Sequence, residues 1–162
     1  MTSRTFSTQS LGLLGWLTAA FAAGAVGAIA SGNAAAFYAQ LSKPSWAPPA
    51  SVFGPVWTTL YALMGVAAWL VWRSPRRSGA ALRLFFAQLA ANAPWSWLFF
   101  AWRSGAVAAV EVLVLLALIG ATMVAFWSRS RLAAALLLPY VLWVAFASAL
   151  TWAVWRANPG LL

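Results

Sequence analysis

The stretch GAVAAVEVLVLLALIGATMVAFW, residues 105–127, decides the class of fold, because Glu111 is its only charged residue. A bilayer core about 30 Å thick is crossed by a helix of roughly 20 apolar residues, and lipid offers the backbone no hydrogen-bond partners. The rest of the chain is similar: 64% of its 162 residues are hydrophobic and 7% are charged. A soluble domain usually has about 25% charged residues. The sequence therefore predicts an integral membrane protein.

Five apolar segments predict a single domain, residues 1–162, built as an all-α bundle of five transmembrane helices. The segments cover residues 11–30, 51–72, 79–102, 105–127 and 132–155. They are continuously apolar, which favours helices over the alternating strands of a membrane barrel. Pro94 and Pro139 are expected to kink the third and fifth helices, because each removes a backbone hydrogen bond.

Residues 31–50 form the one long connection, between the first and second helices. It contains several prolines together with Tyr38 and Trp46, which predicts an ordered, packed loop. Long connections in compact proteins are usually functional or disordered. An alternative interpretation treats the first 30 residues as a cleaved signal peptide, since Ala28-Ile29-Ala30 resembles a cleavage site. The apolar run before it is long for such a peptide, which favours a first transmembrane helix.

The basic residues predict the orientation of the bundle. With five crossings, one side holds Arg4, Arg73, Arg76, Arg77, Arg83, Arg129 and Arg131, and the other side holds Lys43, Arg103 and Arg156. Cytoplasmic loops carry the excess of Lys and Arg. We therefore expect a bacterial cell-membrane protein with its N-terminus in the cytoplasm, and with its C-terminus and the long loop outside. The net charge of +9 does not predict nucleic-acid binding, because the basic residues are scattered at helix ends and form no single face.

The residue types that are missing exclude several kinds of chemistry. The chain has no cysteine and no histidine, so disulfides, thiolate nucleophiles and most zinc or haem ligation are excluded. Glu111 is the single acid, which excludes a paired-carboxylate mechanism within one chain. We expect no metal site and no required cofactor, and we interpret Glu111 as structural.

Twelve tryptophans are the strongest peculiarity of the composition. Six lie near helix ends, as in an interfacial aromatic belt: Trp16, Trp69, Trp72, Trp102, Trp127 and Trp155. The others fall in the outer half of the predicted membrane: Trp46, Trp57, Trp95, Trp97, Trp143 and Trp152. Helical spacing lets several residues share a face: Trp57 with Tyr61, Asn92 with Trp95 and Ser96, and Trp143 with Ala147. These faces predict an aromatic cavity beneath the loop, or alternatively a packed aromatic core without a ligand; Asn92 slightly favours the cavity.

Four stretches resemble one family. KPSWAPP at 43–49, VFGPVWTTLY at 52–61, NAPWSWLFF at 92–100 and PYVLWVAFA at 139–147 are similar to the TspO/translocator protein family, the tryptophan-rich sensory proteins that are also called peripheral-type benzodiazepine receptor-like. The resemblance extends over residues 11–158. It implies a five-helix bundle, a homodimer, and binding of tetrapyrroles such as protoporphyrin IX and haem, of sterols, and of synthetic isoquinoline carboxamides and benzodiazepines.

The resemblance also implies the roles of individual residues. Ligand contacts are implied at Tyr38, Pro48, Trp57, Asn92, Trp95, Ser96, Trp143 and Ala147, to which the spacing argument adds Trp46 and Tyr61. Some relatives promote light-dependent degradation of protoporphyrin, which makes Trp57 and Trp143 candidate catalytic residues. The chain departs from the family at Pro94, where leucine is common, and at Thr151, where asparagine is common. A sterol-recognition pattern matches at Leu150 and Arg156 but has Trp152 in place of tyrosine, which argues against cholesterol binding.

The leading hypothesis is a membrane receptor or transport-linked protein that binds tetrapyrroles. Lys43 and Arg103 at the outer mouth would attract propionates. One alternative is an enzyme that degrades bound porphyrin in light, and another is a regulatory partner of a second membrane protein. Two small-residue pairs would suit a dimer contact: Gly24 with Ala28, and Ala87 with Ala91.

Overall fold

The computed structural model describes residues 6–75 and 79–162, which are dominated by helices. In chain order these are α1 (Phe6–Ile29), α2 (Ala34–Gln40), a 3-10 turn (Ala50–Val52), α3 (Phe53–Arg73), α4 (Gly79–Ser96), a π-helical turn (Trp97–Ala101), α5 (Gly105–Trp127), α6 (Arg131–Leu136) and α7 (Leu138–Ala157). Arg4, Arg76 and Arg77, which entered the prediction of orientation, lie outside the described residues.

Four helical stretches of the described chain are long and apolar enough to cross a membrane: Thr8–Ile29, Ala50–Arg73, Gly105–Trp127 and Arg131–Ala157. The multi-pass membrane class is thus supported, but the count is one fewer than the predicted five. The third predicted segment, which forms α4 and the π-helical turn, is less apolar. Its face toward the bundle carries Gln88 and Asn92, and these polar side chains lower its mean hydropathy.

Prolines shape two of the helices differently from the predicted kinks. The fifth predicted helix is divided at Leu137, between α6 and α7, and Pro139 lies in the first turn of α7, where a missing N–H costs little. Ser130 begins α6 by accepting a hydrogen bond from the Ala133 N–H at 3.2 Å. Pro94 remains inside α4, and the wider π-helical turn follows it. The backbone thus accommodates each proline by changing the local helix geometry.

The helices pack as an irregular bundle around a core of buried aliphatic and aromatic side chains. Helix α1 packs on α3 and α4, helix α5 packs on α4 and α7, and α6 lies against α3 and α5. The closest approach joins α1 to α3: a Cβ atom added to Gly65 would lie 2.9 Å from the Cα atom of Leu17. Met64, Phe85 and Tyr140 are fully buried in the middle of this core.

The two ends of the bundle carry different connections. At one end, the Ser74 hydroxyl donates to the backbone oxygen of Arg129 at 3.3 Å, which joins the end of α3 to the α5–α6 turn. At the other end, the α2–α3 loop contacts the C-terminus, because Ser42 and Asn158 are hydrogen-bonded. The second end therefore holds α2, the long loop, the α4–α5 turn and the end of α7. It is the end at which the candidate site opens.

Candidate ligand-binding cavity

A cavity of about 460 Å³ lies between the helices at the end of the bundle that carries α2. Helices α1, α3, α4, α5 and α7 form its walls, and α2 lies over it. Small residues of α1 make the space: Gly24, Gly27 and Ala28 all face it. A Cβ atom on Gly24 would overlap the ring of Tyr61, so only glycine allows α1 to approach α3 at this height.

Aromatic side chains from α1, α2, α3, α4, the π-helical turn and α7 line the cavity. Trp57 and Tyr61, one helical turn apart on α3, stack with ring centroids 5.5 Å apart and planes at 28°. Phe53 contacts Tyr38 of α2 on one side and Trp143 of α7 on the other, edge to face at 5.5 and 5.9 Å. Such edge and offset geometries are those that aromatic quadrupoles favour. The wall therefore presents several ring faces and edges to one shared space.

One polar network crosses this apolar wall. The Tyr61 hydroxyl donates to Oδ1 of Asn92 at 2.5 Å, and Nδ2 of Asn92 donates to the Tyr140 hydroxyl at 3.0 Å. Asn92 and Tyr140 are buried, whereas Tyr61 lines the cavity. Asn92 therefore joins α3 to α7 through α4, and the burial of its amide is compensated by two hydrogen bonds.

Two indole N–H groups of the cavity wall have no hydrogen-bond partner among the described residues. They are Nε1 of Trp95 on α4 and Nε1 of Trp143 on α7, and both nitrogen atoms are buried. A buried donor without a partner is uncommon and costs free energy. The unpaired carboxyl oxygens of Glu111 share this property, but Glu111 does not line the cavity. Trp95 and Trp143 therefore line the cavity with their rings, while their indole nitrogens are buried behind its surface.

The roof of the cavity is held by hydrogen bonds in addition to the packing of Phe37 and Tyr38 against the bundle. The Tyr38 hydroxyl donates to the backbone oxygen of Pro48 at 3.0 Å, and burial raises the pKa of this hydroxyl, so it remains a donor. The side-chain amide of Asn158 pairs with Ser42 in both directions: Oδ1 accepts from the Ser42 N–H at 2.8 Å, and Nδ2 donates to the Ser42 oxygen at 2.9 Å. The loop is therefore fixed to both α2 and the end of α7.

Two basic side chains lie beside α2, although neither lines the cavity. The Lys43 ammonium donates to the backbone oxygens of Tyr38 and Leu41 at 2.7 and 2.8 Å. The Arg103 guanidinium lies 4.8 Å from the centroid of the Phe37 ring. Arg103 has a φ of 50°, a left-handed conformation that is unusual for a residue other than glycine, and it forms the tight turn before α5. Both cations thus contact α2.

The model of the TspO/MBR family matches residues 16–156. The chain belongs to the TspO/MBR family. It is 43% identical over 133 residues to the Translocator protein of Homo sapiens, which covers 80% of this chain and 79% of the relative. It is 38% identical over 154 residues to Protein CrtK of Rhodobacter capsulatus, covering 90% and 91%, and 39% identical over 127 residues to the Tryptophan-rich protein TspO of Chlorobaculum tepidum, covering 76% and 80%.

The structure gathers most of the residues for which family resemblance or helical spacing predicted a ligand contact. Those that line the cavity are Tyr38, Trp57, Tyr61, Asn92, Trp95, Ser96, Trp143 and Ala147. Pro48 and Trp46 do not line it. Pro48 acts through its backbone oxygen, which holds Tyr38, and Trp46 is 47% exposed and contacts Phe146 edge to face.

Two other outer-half tryptophans lie away from the cavity. Trp97 donates its indole N–H to the backbone oxygen of Val26 at 3.0 Å, and Trp152 is exposed beside Trp155. The sterol-like residues Leu150, Trp152 and Arg156 do not line the cavity either; Leu150 is buried in a separate cluster with Phe37. Predicted depth in the membrane therefore did not give the direction in which these side chains point.

Sequence reasoning missed two residues that build the site. Asn158 holds the loop, and its only sequence signal was its position at the end of a helix, where a polar side chain can bind free carbonyls. Its Nδ2 does so, because it also donates to the backbone oxygen of Val154 at 2.7 Å. Tyr140 completes the network of Asn92 but was predicted only as part of a motif. A buried tyrosine hydroxyl needs a partner, and that requirement could have identified it.

Proposed function

We propose that this protein binds tetrapyrroles such as protoporphyrin IX or haem in the cavity and that this binding serves tetrapyrrole transport or sensing. The observation that carries the proposal is a cavity lined by the aromatic side chains of Trp57, Trp95 and Trp143. Its volume of about 460 Å³ lies within the range of roughly 300–1,000 Å³ that small-molecule sites occupy. A flat macrocycle complements such walls, because indoles offer large apolar faces on which it can stack.

Two cations beside α2 favour a ligand that carries carboxylate groups on one edge. Arg103 and Lys43 are the basic side chains beside α2. The ammonium of Lys43 has three donors, of which two serve backbone oxygens, and the Arg103 guanidinium lies on the face of Phe37. Carboxylates bind preferentially to such cations. Propionate groups of a tetrapyrrole would therefore lie toward α2, with the macrocycle deeper among the rings.

The proposed membrane arrangement has five crossings. Helix α4 and the π-helical turn run without interruption from residue 79 to residue 101, and at about 1.5 Å per residue this length exceeds a hydrocarbon core of about 30 Å. The polar Gln88 and Asn92 of α4 are buried inside the bundle, so they do not face lipid. With the positive-inside rule, this arrangement places the N-terminus in the cytoplasm and α2 outside.

A binding titration tests the proposal. The protein is placed in lipid nanodiscs, protoporphyrin IX is added, and the bound fraction is followed by the shift in porphyrin absorbance. We expect saturable binding. Trp143→Phe removes part of one ring from the cavity wall, about 1 kcal/mol of aromatic contact, and should weaken binding roughly 5-fold. Trp57→Phe should also weaken it.

Trp127→Phe is the matched control, because Trp127 is 57% exposed and does not line the cavity. Its affinity should equal that of the unchanged protein. Binding that does not saturate, or that Trp143→Phe and Trp127→Phe weaken equally, would show that the porphyrin only partitions into the bilayer or onto the surface.

Light-dependent degradation of the porphyrin is a second candidate function. Trp57 and Trp143 both line the cavity, and Trp57 stacks on Tyr61, so oxidisable rings lie where the macrocycle would be. Illumination in the presence of oxygen should bleach the bound porphyrin faster than porphyrin in empty nanodiscs, and Trp57→Phe should slow the bleaching. Equal bleaching in both samples rejects this candidate, and flux into sealed vesicles then separates a carrier from a sensor.

We propose a homodimer on the resemblance alone. Of the two small-residue pairs that would suit a dimer contact, one is less suitable in this structure. Gly24 and Ala28 face the cavity, so this small-residue pair serves the interior of the bundle. Ala87 is exposed beside Phe86, which is 49% exposed, on the outer face of α4. Analytical ultracentrifugation of Ala87→Trp tests whether the dimer uses that face.

A further inference from the structure

Three arginines come from neighbouring elements at the end of the bundle opposite α2. Arg73 ends α3, Arg129 lies in the α5–α6 turn and Arg131 begins α6. These elements are joined, because the Ser74 hydroxyl donates to the backbone oxygen of Arg129 at 3.3 Å and α6 packs on α3. All three arginine side chains are exposed. We call these three residues the arginine surface.

Two of the guanidinium groups lie on tryptophan rings. The guanidinium carbon of Arg73 lies 4.5 Å from the centroid of the Trp69 ring, and that of Arg131 lies 5.8 Å from the centroid of the Trp127 ring. Trp69 is fixed in turn, because its indole N–H donates to the backbone oxygen of Gln9 at 3.0 Å. Tryptophan is enriched at the membrane–water interface, and its ring attracts cations. The rings therefore favour a position of these two charges at the depth of the lipid headgroups.

The chain has no anion that could neutralise the arginine surface. Glu111 is its single acid, and the two carboxyl oxygens of Glu111 have no hydrogen-bond partner among the described residues. Glu111 lies 16 positions before Trp127 in α5, which is roughly 24 Å along the helix axis at about 1.5 Å per residue. No hydrogen bond joins the three guanidinium groups to another described side chain or backbone atom. An anion for this surface must therefore come from outside the chain.

The basic residues beside α2 differ, because contacts within the chain engage both of them. The Lys43 ammonium donates to two backbone oxygens, and the Arg103 guanidinium lies on the ring of Phe37. In the arginine surface, a ring contact engages only the face of a guanidinium. The five N–H donors of each group point outward from its edge. These edges are the part of the surface that remains available to a partner.

We propose that the arginine surface binds the phosphate groups of anionic phospholipids. A guanidinium donates two parallel hydrogen bonds to phosphate oxygens, which makes arginine the preferred side chain for this group. The rest of a lipid also finds a complement here: Trp127 and Leu132, next to the cations, are 57% and 62% exposed, and the helices below belong to stretches apolar enough to cross a membrane. The inference is independent of the proposed tetrapyrrole binding, since the cavity lies at the other end of the bundle.

Native mass spectrometry of the protein in detergent tests the proposal. Phosphatidylglycerol and phosphatidylcholine with identical acyl chains are added in equal amounts, and the ratio of the two lipids retained on the protein is measured. We expect the unmodified protein to prefer phosphatidylglycerol at least about 10-fold, since each arginine near an anionic lipid adds to the attraction. Raising the ammonium acetate concentration should reduce the preference, because salt screens exposed charges.

Substitutions locate the binding. The triple variant Arg73→Gln, Arg129→Gln, Arg131→Gln should retain a preference of less than about 3-fold. Arg131→Gln alone should lower the preference about 3- to 5-fold. Its matched control is Arg156→Gln, which removes the same charge at an exposed position in the last turn of α7, at the other end of the bundle, and should leave the preference unchanged.

Three outcomes would overturn the proposal. The first is equal retention of both lipids by the unmodified protein, a result that needs no variant and so does not depend on the folding of one. The second is an equal loss of preference in Arg131→Gln and Arg156→Gln, which would show that only the net charge matters. The third is displacement of phosphatidylglycerol by an equal concentration of inorganic phosphate, which would show that the surface binds the free anion rather than a lipid.

Discussion

Replacing Asn92 by leucine should destabilise the bundle, because the change removes both hydrogen bonds that join α3 to α7. Asn92 accepts from Tyr61 at 2.5 Å and donates to Tyr140 at 3.0 Å. Leucine has nearly the same size as asparagine, so the packing is retained and the loss is polar. The two tyrosine hydroxyls then remain without this partner, one beside the cavity and one in the fully buried core.

The magnitude follows from the burial of the two hydroxyls. Hydrogen bonds between membrane helices contribute about 0.6 kcal/mol on average and up to about 1.7 kcal/mol, and a buried polar group left unpaired costs about 1–3 kcal/mol. Tyr61 lies at the low end of that range because it faces a cavity, and Tyr140 lies higher because it is fully buried. Asn92→Leu should therefore lower the free energy of unfolding by about 1.5–3 kcal/mol.

A double-mutant cycle isolates the bond between Asn92 and Tyr140. Equilibrium unfolding in mixed detergent micelles, followed by tryptophan fluorescence, is measured for Asn92→Leu, Tyr140→Phe and the double variant. We expect a coupling energy of about 0.6–1.7 kcal/mol. The control pairs Asn92→Leu with Val124→Ala at the lipid surface, where the two effects should add. A coupling below about 0.3 kcal/mol, the level at which distant sites add, would refute the argument that this amide links the two helices.

Three further predictions concern separate parts of the fold. Gly65→Ala should lower the free energy of unfolding in detergent by about 1–3 kcal/mol, because the added Cβ would press on the backbone of Leu17. An unchanged free energy would show that α1 can move away freely. Asn158→Ala should speed amide hydrogen exchange at Ser42, whose N–H it binds, while exchange in the core of α5 stays constant; unchanged exchange would mean that the loop is held elsewhere. Glu111→Leu should raise the free energy of unfolding by about 1–3 kcal/mol, because it removes two buried carboxyl oxygens that have no partner among the described residues. A lower free energy of unfolding would reveal a partner for the carboxyl.

The long apolar helices were predictable because lipid imposes a strong compositional contrast. Residues 105–127 were predicted as one helix, and α5 has these bounds, since Arg103-Ser104 and Arg129-Ser130 interrupt the apolar run on both sides. Helix α2 was not separated from the loop around it. Seven residues are too few to show a helical period. Its position depends on distant contacts instead, such as the Arg103 guanidinium over Phe37.

The candidate site was predictable where residues one turn apart share a regular helix. Trp57 and Tyr61 are stacked as their i,i+4 spacing predicts. Trp97 was placed by depth and not by such a spacing, and its indole N–H binds the backbone oxygen of Val26. The π-helical turn begins at that residue. A π-helical turn widens the helix from i→i+4 to i→i+5 hydrogen bonding, so the residues that follow point in directions that a regular period does not give. Asn158 lay beyond any such pattern, since its partner Ser42 is distant in sequence.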